Sequence, residues 1–276
     1  MKTIGIVGLG LIGGSLAKAA RKKTEHTVLG TDIQDTVVLR AQAFEAIHGE
    51  LTDENLGDCD IVFLALYPKD ALDYARTHAA SFKKDGIVID CCGIKGAICP
   101  ELFALAKEHG FTFIGGHPMA GIEYSGFLHA QSHLFEDASI ILVPDENADI
   151  AVLHMLKQFF LSLGFAQVPI VSMEEHDRVI AYTSQLAHVV SSAYVKCPHA
   201  KKDSLAAGSF KDMTRVARLN SDMWTQLFML NREPLLEEID GLIARLQDYA
   251  DSLRNNDEQA LWNLLEDGNR IKISLS

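Results

Sequence analysis

Three glycines and one acidic residue near the start of the chain have the types and spacing of a pyrophosphate site. Gly8, Gly10 and Gly13 follow an apolar run and open a segment with helical periodicity, and Asp32 ends the next apolar run, 19 residues after Gly13. In this pattern the first glycine permits a tight turn, the second lets a pyrophosphate approach the backbone, and the third lets helix and strand pack closely. The phosphates would lie at the N-terminus of the helix. The sequence therefore predicts a dinucleotide site formed by Gly8, Gly10, Leu11, Ile12, Gly13 and Asp32.

Asp32 also predicts which dinucleotide binds. A carboxylate at this position accepts hydrogen bonds from the ribose hydroxyls and repels a 2′-phosphate. The next residues, Ile33 and Gln34, supply no cation for such a phosphate. We therefore expect NAD rather than NADP as the cofactor.

His117 lies in a second glycine-rich stretch, between Gly116 and Pro118. This stretch follows a predicted strand, at the edge of the sheet where doubly wound folds bind ligands. An imidazole with an ordinary pKa of about 6.5 could accept a hydroxyl proton near neutral pH. A turn histidine without any chemical role would show the same spacing, so the spacing alone does not separate the two interpretations.

A third stretch, Glu174–Val195, places His176, Ser184 and His188 at helical spacings. Hydrogen-bonded polar residues on a core-facing helix would produce the same pattern. The stretch is therefore a candidate part of the site whose role the spacing leaves open.

Charge narrows the classes of partner. The formal net charge is −12, which argues against nucleic acid or an anionic membrane surface. A small anionic substrate would need a locally basic pocket, for which Arg215, Arg218 and Arg232 are candidates. A planar guanidinium can bind a carboxylate through two hydrogen bonds, although an ion pair at the surface is the commoner role for an arginine.

Cysteine and histidine usage points to a cytoplasmic protein without a metal site. The five cysteines are an odd number, and the first strand begins close to Met1. We therefore expect reduced thiols and no signal peptide. Among the eleven histidines, His129 and His133 lie four residues apart, but no HExxH, CxxC or acidic partner set accompanies them, so no metal site is expected.

Periodicity predicts two domains. Apolar runs typical of buried strands alternate with helical patterns up to residue 171, and this alternation predicts a Rossmann-type, doubly wound, mostly parallel sheet. The predicted strands are Thr3–Val7, Thr27–Thr31, Ile61–Leu66, Gly86–Asp90, Phe111–Ile114, Ser139–Val143 and Gln167–Val171. Residues 172–276 show only helical patterns, which are Glu174–Val195, Leu205–Arg218, Met223–Asn255 and Asp257–Asn269. We predict an NAD-binding domain at 1–171 and an all-helical substrate and dimerisation domain at 172–276.

Together these stretches resemble the prephenate/arogenate dehydrogenase family of tyrosine biosynthesis over nearly the whole chain. GLGLIGGSLA is similar to the nucleotide motif of the family, and HPMAGIEYSG matches its specific histidine motif. SQLAH resembles a helix motif of the family, and FKDMTRVA resembles its arginine region.

The resemblance implies roles for four residues. His117 matches the histidine that accepts a hydrogen bond from the ring hydroxyl of the substrate, and Glu123 matches a glutamate that shapes the pocket. Arg215 matches the arginine that holds a substrate carboxylate, and His188 matches a histidine near the substrate side chain. The implied reaction is the NAD-dependent oxidative decarboxylation of prephenate or arogenate by a homodimer.

The chain departs from the family pattern in the turn after the fourth predicted strand and in the helix motif, where Ala187 stands in place of a proline. Gly93 stands in the turn CCGIKG where the family often has a serine bonded to the catalytic histidine and the substrate, so we place Gly93 among the substrate-binding positions. Gln185 replaces the first histidine of the helix motif. The missing serine leaves the orientation of His117 as an open question.

Two alternative functions stay open at this point. A β-hydroxyacid dehydrogenase or an imine reductase shares the two-domain layout, but these enzymes usually place a lysine or an aspartate on the first interdomain helix, where this chain has Ser184, Gln185 and His188. A catalytically silent NAD-binding regulator would be consistent with the missing serine.

Overall fold

Alternating strands and helices form the first domain. A computed structural model describes residues 1–122, 124–198 and 208–275. The strands are β1 (Thr3–Val7), β2 (Thr27–Thr31), β3 (Gly49–Glu50), β4 (Ile61–Leu64), β5 (Ile87–Asp90), β6 (Thr112–Pro118) and β7 (Ile140–Pro144). The helices of this domain are α1 (Leu11–Lys23), α2 (Asp35–Ala43), α3 (Pro68–His78), α4 (Cys99–His109) and α5 (Ile150–Leu163).

The seven strands form one sheet in the order β3-β2-β1-β4-β5-β6-β7. Neighbouring strands are parallel from β3 to β6, and β7 is antiparallel to β6. The chain builds outward from β1 to β3 and then returns to place β4 on the other side of β1. This reversal opens a crevice at the carboxyl ends of β1 and β4, where doubly wound sheets bind ligands.

Successive side chains along each strand point to opposite faces of the sheet, so the core is divided into two parts. In β4, Ile61 and Phe63 join one apolar cluster, and Val62 and Leu64 join the other. The first cluster contains residues of α1, α2 and α5, and the second contains residues of α3 and α4. Helices cover both faces, so the strands are apolar on both sides. The predicted fold class is confirmed.

The rest of the described chain is helical. Its helices are α6 (Met173–Ile180), α7 (Ala187–Tyr194), α8 (Gly208–Thr214), α9 (Ser221–Leu230), α10 (Arg232–Arg254) and α11 (Glu258–Ser274). The predicted helix Leu205–Arg218 begins outside the described residues and continues as α8 and a 3₁₀ turn, Arg215–Ala217. None of the helices in the described ranges combines the length and the apolar character that a bilayer crossing requires.

The predicted strand Gln167–Val171 is wrong, because this segment forms only isolated bridges beside β7. Pro169 has no N–H to donate, and its carbonyl accepts a hydrogen bond from the Leu142 N–H at 2.9 Å. A proline is tolerated in this way at the edge of a sheet, but it interrupts the ladder. The two-residue strand β3 was not predicted.

Two predicted helices are interrupted. A π-helical segment, Ala181–Leu186, separates α6 from α7 within the predicted helix Glu174–Val195. The predicted helix Met223–Asn255 breaks at Asn231. Pro234 lacks the N–H that would bond to the carbonyl four residues earlier, so one continuous helix cannot pass through it.

Candidate active site

The loop between β1 and α1 has the geometry that its glycines predict. Gly8 has φ +88°, and a Cβ there would lie 2.6 Å from the carbonyl oxygen of Ala65, which follows β4. A Cβ on Gly13 would collide with the carbonyl oxygen of Gly8. Any side chain at either position would therefore push the loop and α1 away from the crevice between β1 and β4.

Gly10 has a different reason to be glycine. A Cβ at this position would meet no protein atom within 4 Å, so packing inside the protein does not demand a glycine there. The open space lies beside the start of α1, where the N–H groups of Leu11 and Ile12 have no partner within the helix. An open space beside free N–H groups fits a pyrophosphate that approaches the backbone closely.

Asp32 follows β2 at the same edge of the sheet. Its Oδ2 accepts a hydrogen bond from the Leu9 N–H at 2.9 Å, and its Oδ1 accepts one from the Gln34 N–H at 3.1 Å. The side chain is partly exposed, and a carboxylate has about four acceptor positions. Asp32 can therefore accept further hydrogen bonds from ribose hydroxyls, as predicted for an NAD site.

The turn after β5 is fixed by a buried ion pair. Lys95 Nζ lies 2.5 Å from Asp90 Oδ2, and both side chains are fully buried. Burial alone would lower the pKa of Lys95, but the neighbouring Asp90 carboxylate outweighs this effect and raises it. Asp90 also accepts hydrogen bonds from the Cys92 and Gly116 N–H groups, at 2.8 and 3.1 Å. The pair thus joins the turn after β5 to the residue that precedes His117.

His117 is partly exposed near the end of β6, with Nε2 directed toward Gly93. A Cβ on Gly93 would lie 3.6 Å from His117 Nε2 and 3.7 Å from the Leu227 side chain, both ordinary contacts. The glycine therefore leaves space for a small group beside the ring nitrogen. Leu227 belongs to α9, so the space lies between the two domains.

The other ring nitrogen of His117 contacts a histidine of α6. His117 Nδ1 lies 2.9 Å from His176 Nε2, and His176 Nδ1 lies 2.7 Å from Asp177 Oδ1. Burial lowers the pKa of His117 well below its ordinary value, and the charges of His176 and Lys95 lower it further. Burial also lowers the pKa of His176, against the opposing effect of the hydrogen bond with Asp177. Both imidazoles are therefore neutral near pH 7.

Arg215 and His188 form a second cluster. Both line a cavity of about 590 Å³ in the helical domain, and the cation of Arg215 lowers the pKa of His188, although less than burial does. The His188 ring packs against Trp224 with a centroid distance of 4.0 Å. Trp224 precedes Leu227 by three residues on α9, which is about 4.5 Å along a helix axis. The two clusters therefore lie beside the same helix, α9, next to side chains three residues apart.

The structure groups the predicted residues into three parts. Gly8, Gly10, Leu11, Ile12, Gly13 and Asp32 lie together at the crevice, Gly93 lies beside His117, and His188 lies near Arg215. Glu123 lies outside the residues that the structure describes. Over the described ranges, no group of three His, Cys, Asp or Glu side chains is placed to hold a metal ion.

Sequence reasoning missed the partner of His117. His176 was a candidate only through its helical spacing, and Asp177 was not a candidate. The contact joins residues 59 positions apart in the chain, and no local pattern predicts such a contact. A local signal is that His176 and Asp177 are adjacent in the sequence and follow Ser172, which has the residue type and the spacing to Glu175 that are typical of a helix N-cap.

Comparisons with known proteins cover both domains. A family model described as "Prephenate dehydrogenase, nucleotide-binding domain" matches residues 16–168, and one described as "Prephenate dehydrogenase, dimerization domain" matches residues 172–267. The chain is 32% identical over 282 residues to a prephenate dehydrogenase of Lactococcus lactis, covering 99% of this chain and 77% of that protein.

Two solved structures share the fold over the whole chain. A prephenate dehydrogenase from A. aeolicus, in complex with hydroxyphenyl propionate and NAD+, has a TM-score of 0.88 and 27% identity, covering 100% of this chain and 99% of that chain. A Synechocystis arogenate dehydrogenase has a TM-score of 0.85 and 27% identity, covering 99% of this chain and 100% of that chain.

Proposed function

The chain belongs to the prephenate dehydrogenase family, and on this basis we propose that it oxidatively decarboxylates prephenate or arogenate. It is an NAD-dependent dehydrogenase of tyrosine biosynthesis. The observation that carries the proposed reaction is His117, whose Nε2 lies beside Gly93, where even a Cβ would make only ordinary contacts. The products would be 4-hydroxyphenylpyruvate from prephenate or tyrosine from arogenate.

The first domain would hold the cofactor. The loop Gly8–Gly13 would bind the pyrophosphate, with the N–H groups of Leu11 and Ile12 at the start of α1 directed at it. Asp32 would bind the ribose hydroxyls. NAD+ supplies the acceptor for the hydride that leaves the ring carbon carrying the hydroxyl. The predicted division of the chain after residue 171 is part of the same proposal.

His117 would act as the base. Its Nε2 accepts the proton of the substrate hydroxyl while hydride leaves the same carbon, and carbon dioxide leaves from the opposite ring carbon as the ring becomes aromatic. The lowered pKa keeps the imidazole neutral and able to accept the proton near pH 7. Since aromatisation supplies much of the driving force, the protein mainly has to position the substrate.

The second cluster would hold the anionic part of the substrate. No ion pair or hydrogen bond joins Arg215 to another residue of the described chain, so its guanidinium is available for a carboxylate. His188 lies beside it and would contact the substrate side chain. Gly93 leaves room next to His117 Nε2 for the substrate hydroxyl. We also propose a pocket role for Glu123, on the resemblance of its motif alone.

The helical domain would form a homodimer. Several apolar side chains on α10 and α11 are exposed in one chain: Leu236, Ile243, Leu246, Leu253, Trp262, Leu265 and Ile271. Large apolar side chains exposed together on two neighbouring helices are typical of an association site, and the matching family model is that of a dimerization domain. Light scattering at micromolar concentration should give twice the mass of 30.3 kDa. A monomer would refute the dimer. A cytoplasmic location is also part of the proposal and rests on the sequence.

Steady-state kinetics separates the candidate functions. We expect NADH formation with prephenate, with arogenate or with both, and none with a β-hydroxyacid. Turnover of the β-hydroxyacid alone would support the alternative dehydrogenase. Binding of NAD without turnover of any of the three compounds would support a silent regulator.

A further inference from the structure

We infer that His176 and Asp177 are positioning residues that hold His117 in the tautomer whose Nε2 is free to accept a proton. The inference rests on the proposed role of His117 as the base. His176 holds the ring from the side opposite Gly93, the position where the family often has a serine bonded to the same ring.

Both oxygens of the Asp177 carboxylate accept hydrogen bonds from backbone N–H groups. Oδ1 accepts from the Lys95 N–H at 2.8 Å, and Oδ2 accepts from the Gly96 N–H at 2.7 Å. Burial alone would raise the pKa of Asp177, but hydrogen bonds from His176 and from these two backbone groups outweigh it and lower the pKa. An ionised carboxylate can only accept hydrogen bonds. His176 must therefore donate from Nδ1 to Asp177.

The position of this proton fixes the next one. A neutral imidazole carries one N–H, so the Nε2 of His176 is an acceptor when Nδ1 donates to Asp177. The atom facing that acceptor is His117 Nδ1, at 2.9 Å, and it must carry the single N–H of the His117 ring. The Nε2 of His117, which faces Gly93, then has a free lone pair.

Charged groups around the two rings favour this arrangement. The neighbouring Lys95 cation lowers the pKa of both histidines, in each case less than burial does. At His176, Asp177 and Asp90 raise the pKa and so counteract the effect of Lys95. The buried thiol of Cys99 stays neutral, because burial raises its pKa. When His117 accepts the substrate proton, its Nδ1–H remains bonded to His176, and the Asp177 carboxylate stabilises the new positive charge through that ring.

The chain of hydrogen bonds from Asp177 through His176 to His117 joins the two domains. His176 and Asp177 lie on α6, His117 lies on β6, and Lys95 and Gly96 lie in the turn after β5. His176 is 1% exposed and Asp177 is 7% exposed. Asn231 holds the Asp177 carbonyl from the other side, with Nδ2 at 2.9 Å. A side chain fixed in this way can set the direction of the His117 ring.

The first test measures the tautomer without substrate or cofactor. Two-bond ¹H–¹⁵N spectra of the histidine-labelled full chain should show His117 protonated on Nδ1 and bare on Nε2, with its signals assigned through their loss in His117→Gln. A wild-type His117 with its proton on Nε2 would overturn the inference. Since this measurement needs no turnover, it remains decisive even if neither prephenate nor arogenate is a substrate.

The second test uses variants of His176. His176→Leu removes the acceptor, and the His117 signals should then show both tautomers. A hydrogen bond to a charged group contributes about 1.5–3 kcal/mol, so kcat should fall about 10- to 100-fold, with KM for the substrate nearly unchanged. His176→Gln offers a carboxamide oxygen to the His117 N–H and should recover part of kcat.

Ser191→Ala is the matched control, because Ser191 is a buried polar residue of α7 whose hydroxyl makes no hydrogen bond within the described part of the chain. It should change neither the His117 spectrum nor kcat. A His176→Leu enzyme with kcat within twofold of wild type would contradict the inference, and so would a His176→Gln enzyme no better than His176→Leu. If His117 shows the expected tautomer while neither prephenate nor arogenate is turned over, the proposed function fails and the positioning role of His176 and Asp177 stands.

Discussion

Replacing Lys95 with methionine removes the cation from a fully buried ion pair that joins two loops of the active site. Lys95 Nζ lies 2.5 Å from Asp90 Oδ2, and both side chains are 0% exposed. Nζ also donates to the Cys92 carbonyl at 2.9 Å, and Asp90 accepts from the Gly116 N–H at 3.1 Å. The variant leaves the carboxylate buried with backbone donors and no counter-ion.

The expected effect on stability is large. Removing one partner of a buried ion pair costs about 3–5 kcal/mol, because the other charge stays buried. Folded proteins are stable by only about 5–15 kcal/mol. One kcal/mol shifts Tm by about 2–4 °C in a domain of 150–250 residues, so we expect Lys95→Met to lower Tm by about 6–20 °C. Thermal unfolding followed by circular dichroism measures this shift.

Two further variants separate the effect of the buried charge on stability from the effect of the ion pair on activity. Lys83→Met breaks an exposed pair, 2.6 Å from Asp60, and should hardly move Tm. The double variant Asp90→Leu/Lys95→Met buries no charge, so its Tm should return most of the way to the wild-type value. Its kcat should be lower than that of the wild type, because no carboxylate then holds the backbone before His117. If Lys95→Met and Lys83→Met had the same Tm, the buried pair would contribute no more to stability than the exposed pair, contrary to this prediction.

Three other predictions concern the substrate, the base and the cofactor. Arg215→Ala should raise KM for the substrate roughly 30- to 1000-fold, since losing the partner of a bound carboxylate costs about 2–4 kcal/mol. Arg215→Lys should recover part of this loss, and Arg218→Ala is the control. If KM of Arg215→Ala stayed within twofold of the wild-type value, the carboxylate site would have to be assigned to another residue. Burial lowers the pKa of His117, and only the neutral ring accepts a proton, so kcat/KM should fall as the pH drops through that lowered pKa. The acidic half of the kcat/KM profile should therefore have its midpoint below pH 6.5, and a midpoint above pH 6.5 would contradict the prediction. Asp32→Ser with Ile33→Arg should shift preference toward NADP+, and wild-type kcat/KM that is equal or better with NADP+ would refute NAD selection by Asp32.

Local sequence signals predicted much of the fold. A serine followed three residues later by a glutamate is typical of a helix start, and Ser172 caps α6 by accepting a hydrogen bond from the Glu175 N–H at 3.1 Å. Gly110 and Gly164 end α4 and α5 with φ of 81° and 106°. These signals work because each depends on residues a few positions apart.

The features that the sequence did not reveal depend on tertiary contacts. Pro234 favours an interruption in this region, but its position at Asn231 is accompanied by hydrogen bonds from the Asn231 side chain to Asp177 and Gln185, 54 and 46 positions away. The pairing of His117 with His176 likewise joins two domains. For the candidate site, the glycine loop was visible as a local pattern, whereas the group that orients His117 was visible only after folding.

The direct test of the account is the turnover number of His117→Asn with whichever of prephenate and arogenate the wild-type enzyme oxidises. If His117 is the base, kcat should fall by roughly 10²- to 10⁴-fold, the usual contribution of a general base, and NAD affinity should be unchanged. A variant that turns over at close to the wild-type rate would show that His117 is a turn residue without a catalytic role.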